Sequence, residues 1–174
     1  MDCSDDCPGS FDVSGSGPSA AALVQFVYHE ARLIDEKRFE EWYELFTDEG
    51  LYWMPLTRNQ PDGRMHTSLL CEDRLLLRLR IDRLGNPNSF SQAEPSWCQH
   101  ILQAPRVESR IPAEKLYIMR TPFLYVESQR DHQEFYAGVA WHHVTAQGGM
   151  LRLRLKKIDL LNRDAALPSI QLFP

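Results

Sequence analysis

Residues 26 to 55, FVYHEARLIDEKRFEEWYELFTDEGLYWMP, constrain the fold more than any other part of the chain. Upstream, Pro18-Ser19 marks a helix start, with Ser19 placed to accept a backbone N–H. Leu23, Phe26, Val27, Glu30, Ala31 and Ile34 then recur at helical spacing, five of them apolar, which predicts one buried face. Phe39, Trp42, Tyr43 and Phe46 fall at i, i+3, i+4 and i+7, so a second helix is expected, stopped by Asp48-Glu49-Gly50. Leu51 to Leu56 reads as a short aromatic strand, with Pro55 at its end or at a sheet edge.

Further on, residues 57–68 read as a loop around Pro61-Asp62-Gly63. A third helix is expected over Glu72 to Leu84, with Leu75, Leu76, Leu79 and Leu84 as apolar surface and Gly85 as its stop. The period then changes. Trp97–Arg110, Lys115–Glu127, Glu134–Ala146 and Leu151–Leu161 are alternating or β-rich segments between short turns. In the last, Leu151, Leu153 and Leu155 alternate with Arg152, Arg154 and Lys156, which predicts one buried and one basic face. Helices first and an antiparallel meander after them give an α+β fold, with long strands curving toward a cone. Residues 1–18, rich in Ser, Gly and Asp, read as a flexible tail, and residues 19–174 as a single domain.

Bulk properties exclude some functions. A net charge of -5 disfavours a nucleic-acid partner or an anionic membrane surface. No apolar run approaches the roughly 20 residues of a membrane-spanning helix. The N-terminus is acidic and lacks the apolar region of a signal peptide, and Cys3, Cys7, Cys71 and Cys98 form no C-x-x-C pair. A cytoplasmic protein is expected.

Metal and catalytic patterns are sparse. A cluster held by two Cys and two His needs C-x-H followed by C-x-x-H. Cys98-Gln99-His100 matches the first half, but no cysteine follows it. The helical D/E-x-x-H-x-x-x-x-H spacing of a mononuclear iron site is absent. His142 and His143 point to opposite faces of a strand and cannot chelate together. His29 and His132 read as solvated or capping residues. Arg74, Arg78, Arg80 and Arg83 lie near Glu72, Asp73 and Asp82 and read as a salt-bridged, solvated or subunit-contacting face. One enzyme-like set remains. Conical α+β folds can enclose a pocket, and Tyr28, Asp35, Tyr52 and His100 are the candidates to line one, where a buried Asp beside Tyr and His suits proton abstraction or dehydration. The plainer reading, which we prefer, makes Tyr28 and Tyr52 core aromatics and Asp35 a cap for the second helix.

An ordered set of residues resembles the small (beta) subunits of Rieske-type aromatic-ring-hydroxylating dioxygenases. It runs through Phe26, Tyr28, Glu30, Ala31, Leu33 and Asp35, then Arg38, Trp42, Leu45, Phe46, Tyr52 and Pro55. It continues with Glu72-Asp73, Leu76, Arg80, Leu84, Pro95-Ser96, His100 and Val107, and ends on Leu155 to Leu160. Where that family reads Ser-Arg-Thr-x-His, this chain has Ser96-Trp97-Cys98-Gln99-His100, without the arginine. The resemblance implies a cone-like fold similar to nuclear transport factor 2, with a strongly bent sheet and three helices. It implies a structural subunit with no site or cofactor of its own. Trp53, Trp97 and Trp141 would suit contacts between subunits. The Rieske [2Fe-2S] cluster and mononuclear non-haem iron would lie in a larger alpha subunit, within an α3β3 hexamer. Two other readings stay open: a stand-alone conical isomerase or dehydratase using Asp35, His100 and a tyrosine, and a small-molecule binding module.

Overall fold

The computed structural model describes residues 17–85 and 95–174. Most of the expected tail, with Cys3 and Cys7, and residues 86–94 of the loop that the sequence suggests over Gly85–Pro95 lie outside the described residues. Helices α1 (Ala20–Asp35), α2 (Phe39–Glu44) and α3 (Arg74–Gly85) are interleaved with strands β1 (Phe46–Pro55) and β2 (Ser68–Asp73). Five strands follow: β3 (Trp97–Leu102), β4 (Arg106–Ile111), β5 (Leu116–Gln129), β6 (His132–Gln147) and β7 (Met150–Leu160). All seven join one sheet in the order β2-β1-β7-β6-β5-β3, with β4 pairing the other half of β5. Only β1 and β7 run parallel. The result is the expected cone-like α+β fold, with a strongly curved, mostly antiparallel sheet.

The first helix forms as its sequence dictates. Ser19 Oγ accepts the Ala22 N–H at 3.1 Å, and Leu23, Phe26, Val27, Ala31, Leu33 and Ile34 are buried beneath it. The second helix is shorter than its aromatic spacing suggests. It ends at Glu44, because Leu153 N donates to Leu45 O at 2.7 Å and recruits Phe46 into β1 opposite Leu153. Asp48-Glu49-Gly50 therefore forms a bulge in a strand and does not stop a helix. Pro55 does end β1, but β1 is an inner strand paired on both sides.

The third helix is also shifted. Glu72 and Asp73 belong to β2, an unexpected strand fixed by pairing to Leu51 and Tyr52. Asp73 Oδ1 then accepts the Leu76 N–H at 3.0 Å and starts the helix. That phase buries Leu77 and Ile81 and leaves Leu75, Leu76 and Leu79 largely exposed, the reverse of the expected apolar surface. Its arginines are salt-bridged as read: Arg78 to Glu40 and Asp82, Arg80 to Glu72. The segment expected over Trp97–Arg110 is two strands, each covering half of the long β5.

The largest departure lies in β7. Its pairing with β6 slips between His143 and Val144, where Leu155 and Leu153 are their respective partners. Leu151 and Leu153 face the core, and beyond the bulge the inward set becomes Lys156, Ile158 and Leu160. Lys156, expected on a basic outer face, is 2% exposed. A one-residue insertion flips every later side chain, because the strand period is two.

Gly138 of β6 sits where a Cβ would come within 2.4 Å of the Asp159 carbonyl oxygen on β7. We expect Gly138→Ala to destabilise the protein by about 1–3 kcal/mol in urea unfolding, as overpacking does. Gly85→Ala, with open space around it, should be neutral or slightly stabilising.

Candidate functional site

Glu30 is the one charged residue on the buried stripe of α1, and it is 1% exposed. A carboxylate in that position requires partners, and three elements supply them. Lys156 of β7 donates from Nζ to Oε1 at 2.9 Å, and the Trp42 indole N–H of α2 donates to the same oxygen. His142 of β6 places Nε2 3.4 Å from Oε2. Lys156 Nζ also lies 5.9 Å from the Trp42 ring centre and 5.8 Å from that of Tyr52. Burial by itself would raise the Glu30 carboxyl, but Lys156 and His142 outweigh it and hold it well below the usual carboxylate range. Burial also dominates at His142, pushing its imidazole down despite the pull of Glu30. The cluster thus sets an ionised Glu30, held by Lys156 and Trp42, beside a neutral imidazole.

A second polar group lies between α1 and β3. Asp35 accepts the His100 backbone N–H at 3.1 Å and faces the ring Nδ1 at 2.7 Å. Gln99 Nε2 donates to it at 2.7 Å. Asp35 therefore ties α1 to β3 and does not cap α2, whose first residue has no side-chain cap. His100 stacks near Tyr125, with ring centres 4.8 Å apart. Its Nε2 is buried without a partner among the described residues.

The four residues of the enzyme-like set do not converge. Asp35 and His100 meet at the edge of an open groove of about 390 Å³ shared with Tyr28, Arg32 and Gln99. Tyr28 is 39% exposed and so is not a core aromatic. Tyr52 is fully buried, and its hydroxyl donates to the Pro174 carbonyl at 3.0 Å, with its phenol pushed up by burial. Between His100 and the Glu30 cluster the enclosed space is only about 10 Å³, at the lower limit for one water. That space is lined closely by Val27, Phe123, Ala140, His142, Lys156 and Pro174.

Among the described residues, no three His, Cys, Asp or Glu side chains are grouped to hold a metal ion. His142 faces the core and His143 the other side of β6, where burial and Arg154 lower its imidazole. Burial pushes the Cys98 thiol up to about 12, so it carries no reactive thiolate at neutral pH. Of the three tryptophans, Trp53 is buried and donates to Ser68 Oγ at 3.0 Å. Trp97 is exposed beneath Lys37, and Trp141 donates to Asp159 at 3.0 Å.

Sequence reasoning passed over Glu30, Lys156 and Glu127 as polar anchors. The signal for Glu30 was present, a lone acid inside an apolar stripe. The signal for Lys156 was hidden by the bulge.

Fold and cluster together define a class: a cone-like domain of the nuclear transport factor 2 type whose interior is occupied by its own side chains. Within that class the chain belongs to the ring hydroxylating beta subunit family, which matches it over residues 29–165. It is 30% identical over 149 residues to the small subunit of 2-halobenzoate 1,2-dioxygenase from Burkholderia cepacia, covering 80% of this chain and 87% of that one. The beta subunit of benzoate 1,2-dioxygenase from Burkholderia mallei superposes with a TM-score of 0.71 at 20% identity, covering 89% and 97% of the two chains. Naphthalene 1,2-dioxygenase gives a TM-score of 0.72 at 15% identity, covering 90% and 88%. Both structural likenesses concern the fold.

Two predictions follow from the cluster. Lys156→Met should cost about 3–5 kcal/mol in denaturant unfolding, because it leaves the buried Glu30 carboxylate without its cationic partner. Glu30→Gln combined with Lys156→Met should recover much of that loss. The pH response is the second. His142 and Glu30 both bind protons more readily when unfolded, so both contributions are complete at neutral pH and decay on acidification. The loss should begin near the ordinary imidazole range, about pH 6.5, and steepen below the ordinary carboxylate range, about pH 4.3. In thermal melts from about pH 2 to 7, His142→Gln should shrink the upper stage, to which the burial-lowered His143 also contributes, and leave the lower one.

Proposed function

We propose that this chain is a structural, non-catalytic beta subunit of a multicomponent aromatic-ring-hydroxylating dioxygenase, acting as one domain over residues 19–174. In this reading a larger alpha subunit carries the Rieske cluster, the mononuclear iron and the aromatic substrate. The chain assembles as the trimeric part of a cytoplasmic α3β3 hexamer. Among the described residues, no helix is long and apolar enough to cross a membrane.

The observation that carries the proposal is the outer face of the sheet. An antiparallel sheet with one wet face alternates apolar and polar residues. Strands β5 and β6 do not. Their inward set includes Met119, Phe123, Tyr125, Tyr136, Ala140 and Val144. Their outward set is also largely apolar: Ile118, Pro122, Leu124, Val126, Phe135, Ala137, Val139 and Trp141. Ile101, Leu124 and Ala137 lie side by side across β3, β5 and β6, and Leu161, just past β7, donates its N–H to the Ala137 carbonyl beside them. Ile101, Phe135 and Leu161 are each more than half exposed. A continuous apolar face of this kind marks a surface for another protein. The same face carries Arg120, and on it Lys157 pairs with Asp159 at 3.3 Å. The exposed leucines of α3 form a separate patch for a different neighbour.

Leu124→Asp with Phe135→Asp should leave the isolated fold intact by circular dichroism and weaken self-association at least a hundredfold, about 2.7 kcal/mol, in sedimentation experiments. A wild-type chain that remains monomeric, and that captures no iron-bearing chain when co-expressed with its alpha subunit, would sink the proposal.

A further inference from the structure

The last residues of the sequence enter the mouth of the cone without joining any regular structure. After β7, residues 161–174 contain no helix or strand. Yet Leu172, Phe173 and Pro174 are buried. Among the described residues, the backbone of residues 171–174 is held by side chains from elsewhere in the fold. The Gln171 and Leu172 N–H groups donate to the two oxygens of the buried Glu127 carboxylate, at 2.9 and 3.0 Å. Arg80 Nη1 donates to the Leu172 carbonyl at 3.4 Å, and Tyr52 donates to the Pro174 carbonyl at 3.0 Å.

Phe173 completes the arrangement. Its ring lies 4.5 Å from Trp42, 5.7 Å from Phe39 and 5.9 Å from Tyr52, centre to centre, with the Arg80 guanidinium 5.4 Å away. Two consecutive amides on a carboxylate, a ring in an aromatic box and two carbonyls with donors are the contacts of a bound peptide. They are not those of a strand added to a sheet. The connection from Asp164 to Ile170 is mostly exposed, and its upstream end is fixed where Arg163 pairs with Asp159 at 2.7 Å.

We propose that the mouth of the cone is a recognition site for an extended peptide bearing an aromatic residue, occupied in this chain by its own residues 171–174. Glu127 selects for two free backbone N–H groups, so an aromatic carboxylate would be repelled where a peptide is held. The segment is an intramolecular ligand on a short tether, and the same segment from a second copy fits the same contacts. This inference does not depend on the assembly proposed above.

The test uses the full chain and a synthetic hexapeptide with the sequence of Ser169 to Pro174. A short tether gives the segment an effective concentration of about millimolar, so wild-type protein should take up the peptide only in that range. Phe173→Ala, which weakens the internal ligand, should bind it at least tenfold more tightly by calorimetry. Tyr52→Phe in that background should weaken binding about tenfold, the loss expected for one buried hydrogen bond. A scrambled hexapeptide should not bind. Equal binding of the scrambled peptide, or none of the correct one, overturns the proposal. Should Phe173→Ala fail to fold, hydrogen exchange on the wild type decides. Excess peptide must speed exchange at the Gln171 and Leu172 amides, and unchanged protection overturns the proposal.

Discussion

The ion pair between Glu30 and Lys156 is the constraint around which the rest of this fold is arranged. Both charges are almost completely buried, and each would be untenable without the other. Their meeting requires α1 to lie across the sheet with Glu30 inward. It also requires β7 to slip by one residue so that Lys156 turns inward. Trp42 and His142 complete the coordination of Glu30 and thereby fix α2 and β6. An apolar core of the same volume would hold together equally well. The charged cluster instead specifies one register of β7 against β6, since a slipped strand would bury an unpaired ammonium or carboxylate.

That arrangement has a consequence for chemistry. A cone of this kind encloses a space between helices and sheet, and here the space is taken up from two directions. Trp42, Tyr52 and Lys156 fill it from the elements that build the wall, and Phe173 with Pro174 closes the mouth. Asp35 and His100 keep the geometry of an oriented acid–imidazole pair. They sit at a groove edge, with the imidazole's free nitrogen buried against filled space. A side chain can therefore retain a catalytic appearance while its main work is to hold α1 against β3.

The outer face of the sheet completes the picture. Residues committed to the interior explain half of the apolar content of β5 and β6, and among the described residues the outward half is only half-buried or exposed. A domain with a filled interior and an apolar exterior is suited to support other chains. This is the physical content of membership in a beta-subunit family.

Much of this was legible in the residues. The stripe of α1, the Ser19 cap and the long strands β5 and β6 all follow from periodicity, because each is a local pattern of one element against one core. The opposite orientations of His142 and His143 followed from the strand period in the same way. What the sequence could not reveal depended on pairing between distant segments. Phe46 became a strand residue because Leu153 bonded to the residue before it. Glu72-Asp73 became a strand because β1 offered a partner, and Lys156 turned inward because β7 slipped against β6. The sequence by itself determined most of the elements and the family to which they belong. Only the tertiary structure decided the register, and with it which charge is buried, whether the cone is open, and which face is left for a neighbour. The reason is that a register shift of one residue costs little locally but reverses every side chain beyond it.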